Sequence, residues 1–277
     1  MAFTQSVEAN GAKIPLLGLG TWDVRGRNCV SQVAQALKIG YRHIDTAQAY
    51  DNETEVGEGI RSSGVKRDAI FLTTKVWHTN FRADELERSV EASLVKLKQP
   101  YVDLLLLHWP NPSVQLKETI GALCKMKTRG LTRHVGISNF TVKLVDEAVR
   151  LSSEPIVNNQ IELHPFLDAS KVIAACKRHG IAVTAYSPIA RGRVHGDIVL
   201  EKIGKARKHA KSAVQVGLRY LVQQGFVIIP RTNNPERLKE NAAIFDFELT
   251  KAEMDEIRAL ATSKGRVVSV SWAPDWD

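Results

Sequence analysis

Eight times in succession a short apolar run is followed by a stretch of helical period, and few folds absorb such an alternation. The strand-like runs are Leu16–Thr21, His43–Ala47, Ile70–Val76, Val102–His108, His134–Ser138, Val157–Ile161, Ala182–Tyr186 and Val227–Pro230. Helical segments lie near Val30–Ile39, Glu53–Ser62, Ala83–Leu97, Leu116–Arg129, Val142–Leu151, Ala169–Arg178, Ala213–Gln223 and Pro235–Asn241, with Gly40, Gly64, Gly130 and Gly180 placed as C-caps. That βαβ spacing implies a parallel sheet, and eight units fit a closed (β/α)8 barrel of the TIM type better than an open sheet. Ahead of it, Ser6–Pro15 alternates around Asn10-Gly11, a hairpin signal that reads as a lid or plug. A further helix, Lys251–Ala261, and the aromatic tail Ser271-Trp272-Ala273-Pro274-Asp275-Trp276-Asp277 follow the last unit, where they can seal or border a site.

A chain of 277 residues suits one such barrel, so a single domain over residues 1–277 is expected, with no linker or repeat array to divide it. No secretory signal and no apolar run near the roughly 20 residues needed to span a bilayer is found, so a soluble, cytoplasmic protein without a membrane partner is expected. Cys29, Cys124 and Cys176 are far apart and lack a second ligand at metal spacing, which reads as reduced, packed thiols and no metal site. The net charge of +8 comes from basic residues interspersed with acids, as along Asp84–Lys98. Solvated helix faces account for that pattern, and the lack of a basic stripe with interleaved aromatics opposes nucleic-acid binding.

In a barrel all C-terminal strand ends meet on one face. Asp45 follows the second strand, Lys75 closes the third, His108 ends the fourth, and Tyr50 lies just past Asp45. Taken singly, Tyr50 reads as packing and His108 as a core histidine. Four such residues on one rim point instead to proton delivery by a phenol. A free phenol has a pKa near 10; a neighbouring ammonium favours the phenolate, so Lys75 is expected to lower Tyr50. Asp45 would hold Lys75 charged, and His108 would orient a carbonyl oxygen or assist the proton transfer.

Gly18-Leu19-Gly20-Thr21-Trp22-Asp23 begins like a dinucleotide fingerprint, but Asp23 stands at the third glycine position, which rejects a Rossmann domain. The stronger anion signal is Phe226–Arg237, where a buried strand opens into Arg231-Thr232-Asn233-Asn234 and a helix start. Loops after strands seven and eight are the common phosphate site of barrels. Ser138 and Asn139 after strand five, Gln160 in strand six and Tyr186 at the end of strand seven fit a carboxamide ring held by polar groups and stacked on a phenol. Asn139 reads equally as a helix cap, and Tyr186 equally as core.

These residues resemble the aldo-keto reductase family from end to end. The shared motifs, in order, are Gly18-Leu19-Gly20-Thr21-Trp22, His43-Ile44-Asp45-Thr46-Ala47, Thr74-Lys75-Val76-Trp77, Val102-Asp103-Leu104, Leu107-His108-Trp109-Pro110, Gly136-Ile137-Ser138-Asn139-Phe140, Asn159-Gln160-Ile161-Glu162, Ala185-Tyr186-Ser187-Pro188 and Ile229-Pro230-Arg231-Thr232. The ending Ala273-Pro274-Asp275-Trp276-Asp277 is similar to that of small bacterial members acting on keto-sugar acids.

The resemblance implies NADPH-dependent reduction of small aldehydes or ketones, keto-sugar acids or methylglyoxal among them. It makes Tyr50 the proton donor, Asp45 and Lys75 its tuning pair, and His108 the carbonyl-orienting residue. Ser138, Asn139 and Gln160 would bind the carboxamide, Tyr186 would stack on the nicotinamide, and Arg231, Thr232, Arg237 and Asn241 would surround the 2′-phosphate. The implied cofactor cradle also takes in Thr21, Trp22, Asp45, Ser187, Pro188, Arg191, Gly192, Pro230 and Glu240. Trp22, Tyr50, Trp77, His108 and Trp109 would line the substrate pocket, with Trp77 read equally as a core aromatic.

Arg231 stands where the family often has Lys and Thr232 where it often has Ser, so charge and hydroxyl persist. The loop Asn111–Gln115 is short, which opens the pocket to small polar carbonyl compounds. Preference for NADPH over NADH is expected, because Arg231 and Arg237 can pair with the extra phosphate. The fold imposes no partner chain, so a monomer is expected. Two other functions remain open: a Schiff-base aldolase using Lys75, and a nicotinamide-sensing subunit with little catalysis.

Overall fold

Strands form where short runs of Val, Ile and Leu can be covered on both faces, and helices where apolar residues recur at intervals of three and four. The computed structural model describes residues 3–206 and 209–277. First comes an antiparallel hairpin, β1 (Ser6–Ala9) and β2 (Ala12–Pro15), turning at Asn10 and Gly11, both at positive φ. The barrel strands follow as β3 (Gly18–Gly20), β4 (His43–Asp45), β5 (Phe71–Val76), β6 (Val102–Leu107), β7 (Thr132–Ser138), β8 (Ile156–Glu162), β9 (Ala182–Tyr186) and β10 (Val227–Ile228). The helices are α1 (Gly26–Ile39), α2 (Glu53–Ser63), α3 (Ala83–Leu97), α4 (Leu116–Thr128), α5 (Val142–Leu151), α6 (Ser170–Arg178), α7 (Ile198–Lys205), α8 (Ala213–Val222), α9 (Pro235–Ala242) and α10 (Lys251–Arg258).

Strands β3 to β10 are all parallel and stand in sequence order. The last meets the first: the Ile228 N–H donates to Leu16 O at 2.8 Å and the Gly20 N–H to Pro230 O at 3.2 Å, which closes the (β/α)8 barrel. That closure explains the two glycines that imitate a nucleotide fingerprint. A Cβ on Gly20 would lie 2.7 Å from Ile229 O, and one on Gly18 would lie 2.9 Å from the His43 ring.

The hairpin is a plug and not a lid. Ala9, Ala12 and Ile14 pack on Leu104, Leu106, Val157, Ala182 and Val227 inside the barrel, near the N-terminal ends of β6, β8, β9 and β10. Ile14 is fully buried, which contributes about 1.5–3 kcal/mol to closing that end. One helix was not anticipated. α7 is short, but Asp197 caps it by accepting the Leu200 N–H at 2.9 Å. The first and last barrel strands are shorter than their apolar runs, because the flanking residues bend away to form the rim and the closure.

The three cysteines are buried, and burial raises the Cys29 thiol to about 12 and the Cys176 thiol to about 11, so both stay protonated and inert. Among the described residues no helix is long and apolar enough to cross a membrane.

Candidate active site

At the C-terminal mouth β4 delivers Asp45, a single 3₁₀ turn over Gln48–Tyr50 swings Tyr50 back over the strand ends, β5 delivers Lys75, and His108 follows β6. Lys75 is completely buried and uses its ammonium in three directions. It donates to Asp45 Oδ1 at 2.6 Å, to the Thr46 carbonyl at 2.9 Å and to the Tyr50 hydroxyl at 3.1 Å. Tyr50 therefore accepts from Lys75, and its own O–H is left to point elsewhere. His108 packs edge-on against Tyr50, ring centroids 5.6 Å apart, and against Trp77 at 5.2 Å. The four rim residues expected from sequence are thus brought together.

Their electrostatics differ from the expectation at one point. Burial pushes the Tyr50 phenol up, Lys75 pulls it down, Asp45 pushes it up again, and the net direction is upward. The lowered phenol expected from the sequence counts only the ammonium, and desolvation outweighs that charge. Burial pulls Lys75 down, but the Asp45 charge, the Tyr50 hydroxyl and their hydrogen bonds hold it above its usual value. A lysine so held is charged and non-nucleophilic, which opposes the Schiff-base alternative. His108 lies well below the usual histidine value, through burial first and then the Lys75 and His78 charges, so its imidazole is neutral.

Two residues outside the rim quartet fix this cluster. Asp51 and Asn52 are the polar residues that a sequence reading offers as the cap of α2, but the Asn52 side chain instead donates to Thr21 O at 2.8 Å and Val24 O at 2.9 Å while accepting from Thr46 Oγ1 at 2.9 Å. Gln48 accepts the Trp77 N–H at 2.9 Å and donates to Ser93 Oγ at 3.2 Å, tying the Tyr50 turn to the loop after β5 and to α3. No local periodicity carries such long-range bonds.

The residues expected to hold a carboxamide are wired to the same cluster. Gln160 donates to Asp45 Oδ2 at 2.7 Å, and Ser138 Oγ to Gln160 O at 2.8 Å. Asn139 is not a helix cap; at φ +63° it donates to His108 O at 3.0 Å and accepts the Tyr186 hydroxyl at 2.8 Å. Beyond Tyr186 the backbone takes left-handed φ at Ser187, Ala190 and Arg191, 49°, 48° and 52°, a concentration of strain where ligand loops are usually placed. Pro188 is buried between them, and Arg191 and Gly192 lie in the short turn that follows.

Across the mouth lies the anion turn. Pro230 closes the barrel, and Arg231 is pinned to the loop after β3: its Nε donates to Trp22 O at 3.1 Å, one terminal nitrogen pairs with Asp23 at 2.9 Å, and its guanidinium lies 5.7 Å from the Trp22 ring. Arg191 approaches the same indole at 5.8 Å. Thr232 Oγ1 accepts the Asn234 N–H at 3.0 Å, and the Asn234 side chain caps α9 by accepting the Glu236 N–H at 2.9 Å. Arg237 is exposed and Asn241 buried on α9, while Glu240 accepts from Ser212 at 2.8 Å and so faces α8.

The C-terminal tail borders the mouth, as its position suggested. Trp272 meets Trp77 at 6.0 Å, Trp276 meets the buried Trp109 at 6.2 Å, and Asp277 accepts the Val142 N–H at the start of α5, 2.8 Å away. Trp22 is half exposed on the opposite side.

Fold and rim together define the class: a parallel (β/α)8 barrel with a lysine-centred polar cluster at its C-terminal end. The aldo/keto reductase family profile matches residues 16–262. Methylglyoxal reductase DkgB of Escherichia coli O157:H7 is 42% identical over 267 residues, 95% of this chain and 99% of the relative. A crystal structure provisionally described as a 2,5-diketo-D-gluconic acid reductase B superposes with a TM-score of 0.96 at 49% identity, covering 99% of this chain and 98% of that one. An aldo-keto reductase of Bombyx mori, solved in complex with NADP, gives 0.90 at 32% identity over 98% and 97% of the two chains. The chain belongs to the aldo/keto reductase family, and so to the oxidoreductases.

Proposed function

We propose that this single barrel domain reduces small aldehydes and ketones to alcohols with NADPH, and that Tyr50 is the proton donor. The observation that carries the reading is the three-way bond set of Lys75: by donating to Tyr50 it occupies a lone pair of the hydroxyl and leaves the single O–H free to donate to a substrate oxygen. A raised phenol keeps that proton at neutral pH, and the ammonium stabilises the phenolate as the proton leaves. Neutral His108, beside Tyr50, orients the carbonyl oxygen by donating to it. Asp45 holds Lys75 charged, and Gln160 holds Asp45.

The anion turn fits NADPH chemically: two guanidiniums, one only one-third exposed and held by a single carboxylate, stand beside the Thr232 hydroxyl and the start of α9. Arg231, Thr232, Arg237 and Asn241 would hold the 2′-phosphate, and Ser138, Asn139, Gln160 and Tyr186 the nicotinamide end. When bound, the cofactor supplies the hydride that reaches the carbonyl carbon. The likeness to a methylglyoxal reductase supports small carbonyl compounds such as methylglyoxal as substrates, and the likeness to a diketo-gluconic acid reductase supports keto-sugar acids.

Tyr50→Phe tests the assignment. NADPH consumption with methylglyoxal should fall about a hundred- to ten-thousandfold, the usual worth of a positioned general acid, with the fold unchanged by circular dichroism. Wild-type turnover in the variant would refute it.

A further inference from the structure

Strand β8 carries two inward residues at the rim, Gln160 and, two positions on, Glu162. The first is bonded to Asp45. The second has no part in the chemistry above, yet its carboxylate is buried, 1% exposed, and surrounded by donors. It accepts the Val267 N–H at 2.6 Å, the Val268 N–H at 3.1 Å and an Arg266 guanidinium nitrogen at 3.3 Å, and lies 3.0 Å from His164 Nε2. Three of these four partners belong to the segment leading into the tail. The Arg266 guanidinium lies 3.6 Å from the centre of the Trp276 ring, and Trp276 reaches Trp109, the residue after His108. An unbroken series of contacts runs from β8 through Glu162, Arg266 and Trp276 to the strand end that bears His108.

We infer that Glu162 is a positioning residue: it latches residues 266–268 to β8 and so sets the tail tryptophans across the substrate mouth in register with the Asp45 cluster, which the same strand holds through Gln160. The consequence is selectivity for small carbonyls. With the latch made, Trp272 and Trp276 stand against Trp77 and Trp109 and narrow the mouth; with it broken, the tail loses the hydrogen bonds at its root and keeps the ring contacts and the bond from Val142 N–H to Asp277. A wall present only part of the time weakens small substrates by the fraction of time it is absent and admits larger ones.

This rests on the carbonyl-reductase reading, and the test separates the two. In Glu162→Gln, an amide N–H₂ faces donors that need an acceptor, so the latch should open. KM for methylglyoxal should rise about tenfold with kcat within about twofold, while kcat/KM for a bulky aryl aldehyde rises, the pattern of a lowered competent fraction. Amide hydrogen exchange should quicken in residues 266–277 and stay as in wild type along β4, β5 and β6. If the variant does not fold, Arg266→Met breaks the same latch from its outer side and should give the same two readouts. Unchanged exchange in the tail, or a fall in kcat with KM unchanged, overturns the inference. A wild-type protein that consumes no NADPH with any carbonyl, yet shows the exchange difference, would leave the latch standing and remove the reductase reading instead.

Discussion

Two stations on the barrel rim are built on opposite plans. All three donors of the Lys75 ammonium are already used, with Asp45 and Lys75 buried and Tyr50 half-buried over them, so the three stand in place before any ligand arrives. Around Arg231 the groups are more open to solvent and occupied with one another: the guanidinium that would meet a phosphate is held by Asp23 and the Trp22 carbonyl. A proton-transfer centre gains from rigidity, because no reorganisation is left for the moment of reaction. An anion site that must admit and release its ligand gains from a partner it can exchange.

The sharpest way to break the contrast is Lys75→Met. Removing the cation strands the Asp45 carboxylate in the core, and unpairing a buried charge costs about 3–5 kcal/mol. Urea denaturation should show that loss; a variant as stable as wild type would mean that the cluster is not rigidly paired. Next in size is Arg231→Ala, which removes one charge-assisted contact worth about 1.5–3 kcal/mol, so NADPH should bind roughly ten- to a hundredfold more weakly by fluorescence titration while NADH is little altered. Equal weakening of both cofactors would show that Arg231 does not read the 2′-phosphate. Asp23→Asn should act the other way and by less. With its exposed ion partner gone, Arg231 is free for the phosphate and NADPH should bind a few-fold more tightly, the scale of a surface pair. Weaker binding would instead make Asp23 a support for Arg231.

The smallest expected effect is a flat pH profile. Tyr50 is held above its ordinary value of 10.0, so the phenol keeps its proton through the neutral range; His108 is held well below 6.5, so it does not charge there. Turnover should therefore hold level between these two ordinary values when cofactor and substrate saturate. Stability has a definite sign as well. Below 6.5 the unfolded chain takes up a proton at His108 that the folded chain refuses, so the His108 contribution is complete above that value and is lost progressively as the pH falls from it towards the lower folded value. A melting temperature that rises on acidification through this range would contradict the assignment.

The same contrast divides what could be read in the sequence. The eight βα units and the quartet were legible because strand ends in a barrel converge, so position along each apolar run already places Asp45, Lys75 and His108 on one rim. The parts that escaped depend on partners far along the chain: Asn52 with Thr21 and Val24, Gln48 with Trp77, Glu162 with residues 266–268. The direction of the Tyr50 shift escaped for a related reason, since an adjacent ammonium can be inferred from spacing but the depth at which both groups lie cannot. α7 was overlooked because a single turn-and-a-half of apolar residues after Asp197 is too short for its period to stand out.

The plug formed by Ala9, Ala12 and Ile14 stops one end of the barrel. The molecule is thus shaped as a cup with one opening, and whatever enters past Trp22 or Trp272 must go back out the way it came. Arrival and departure share that rim, so a product has to leave it before the next substrate can take the same place.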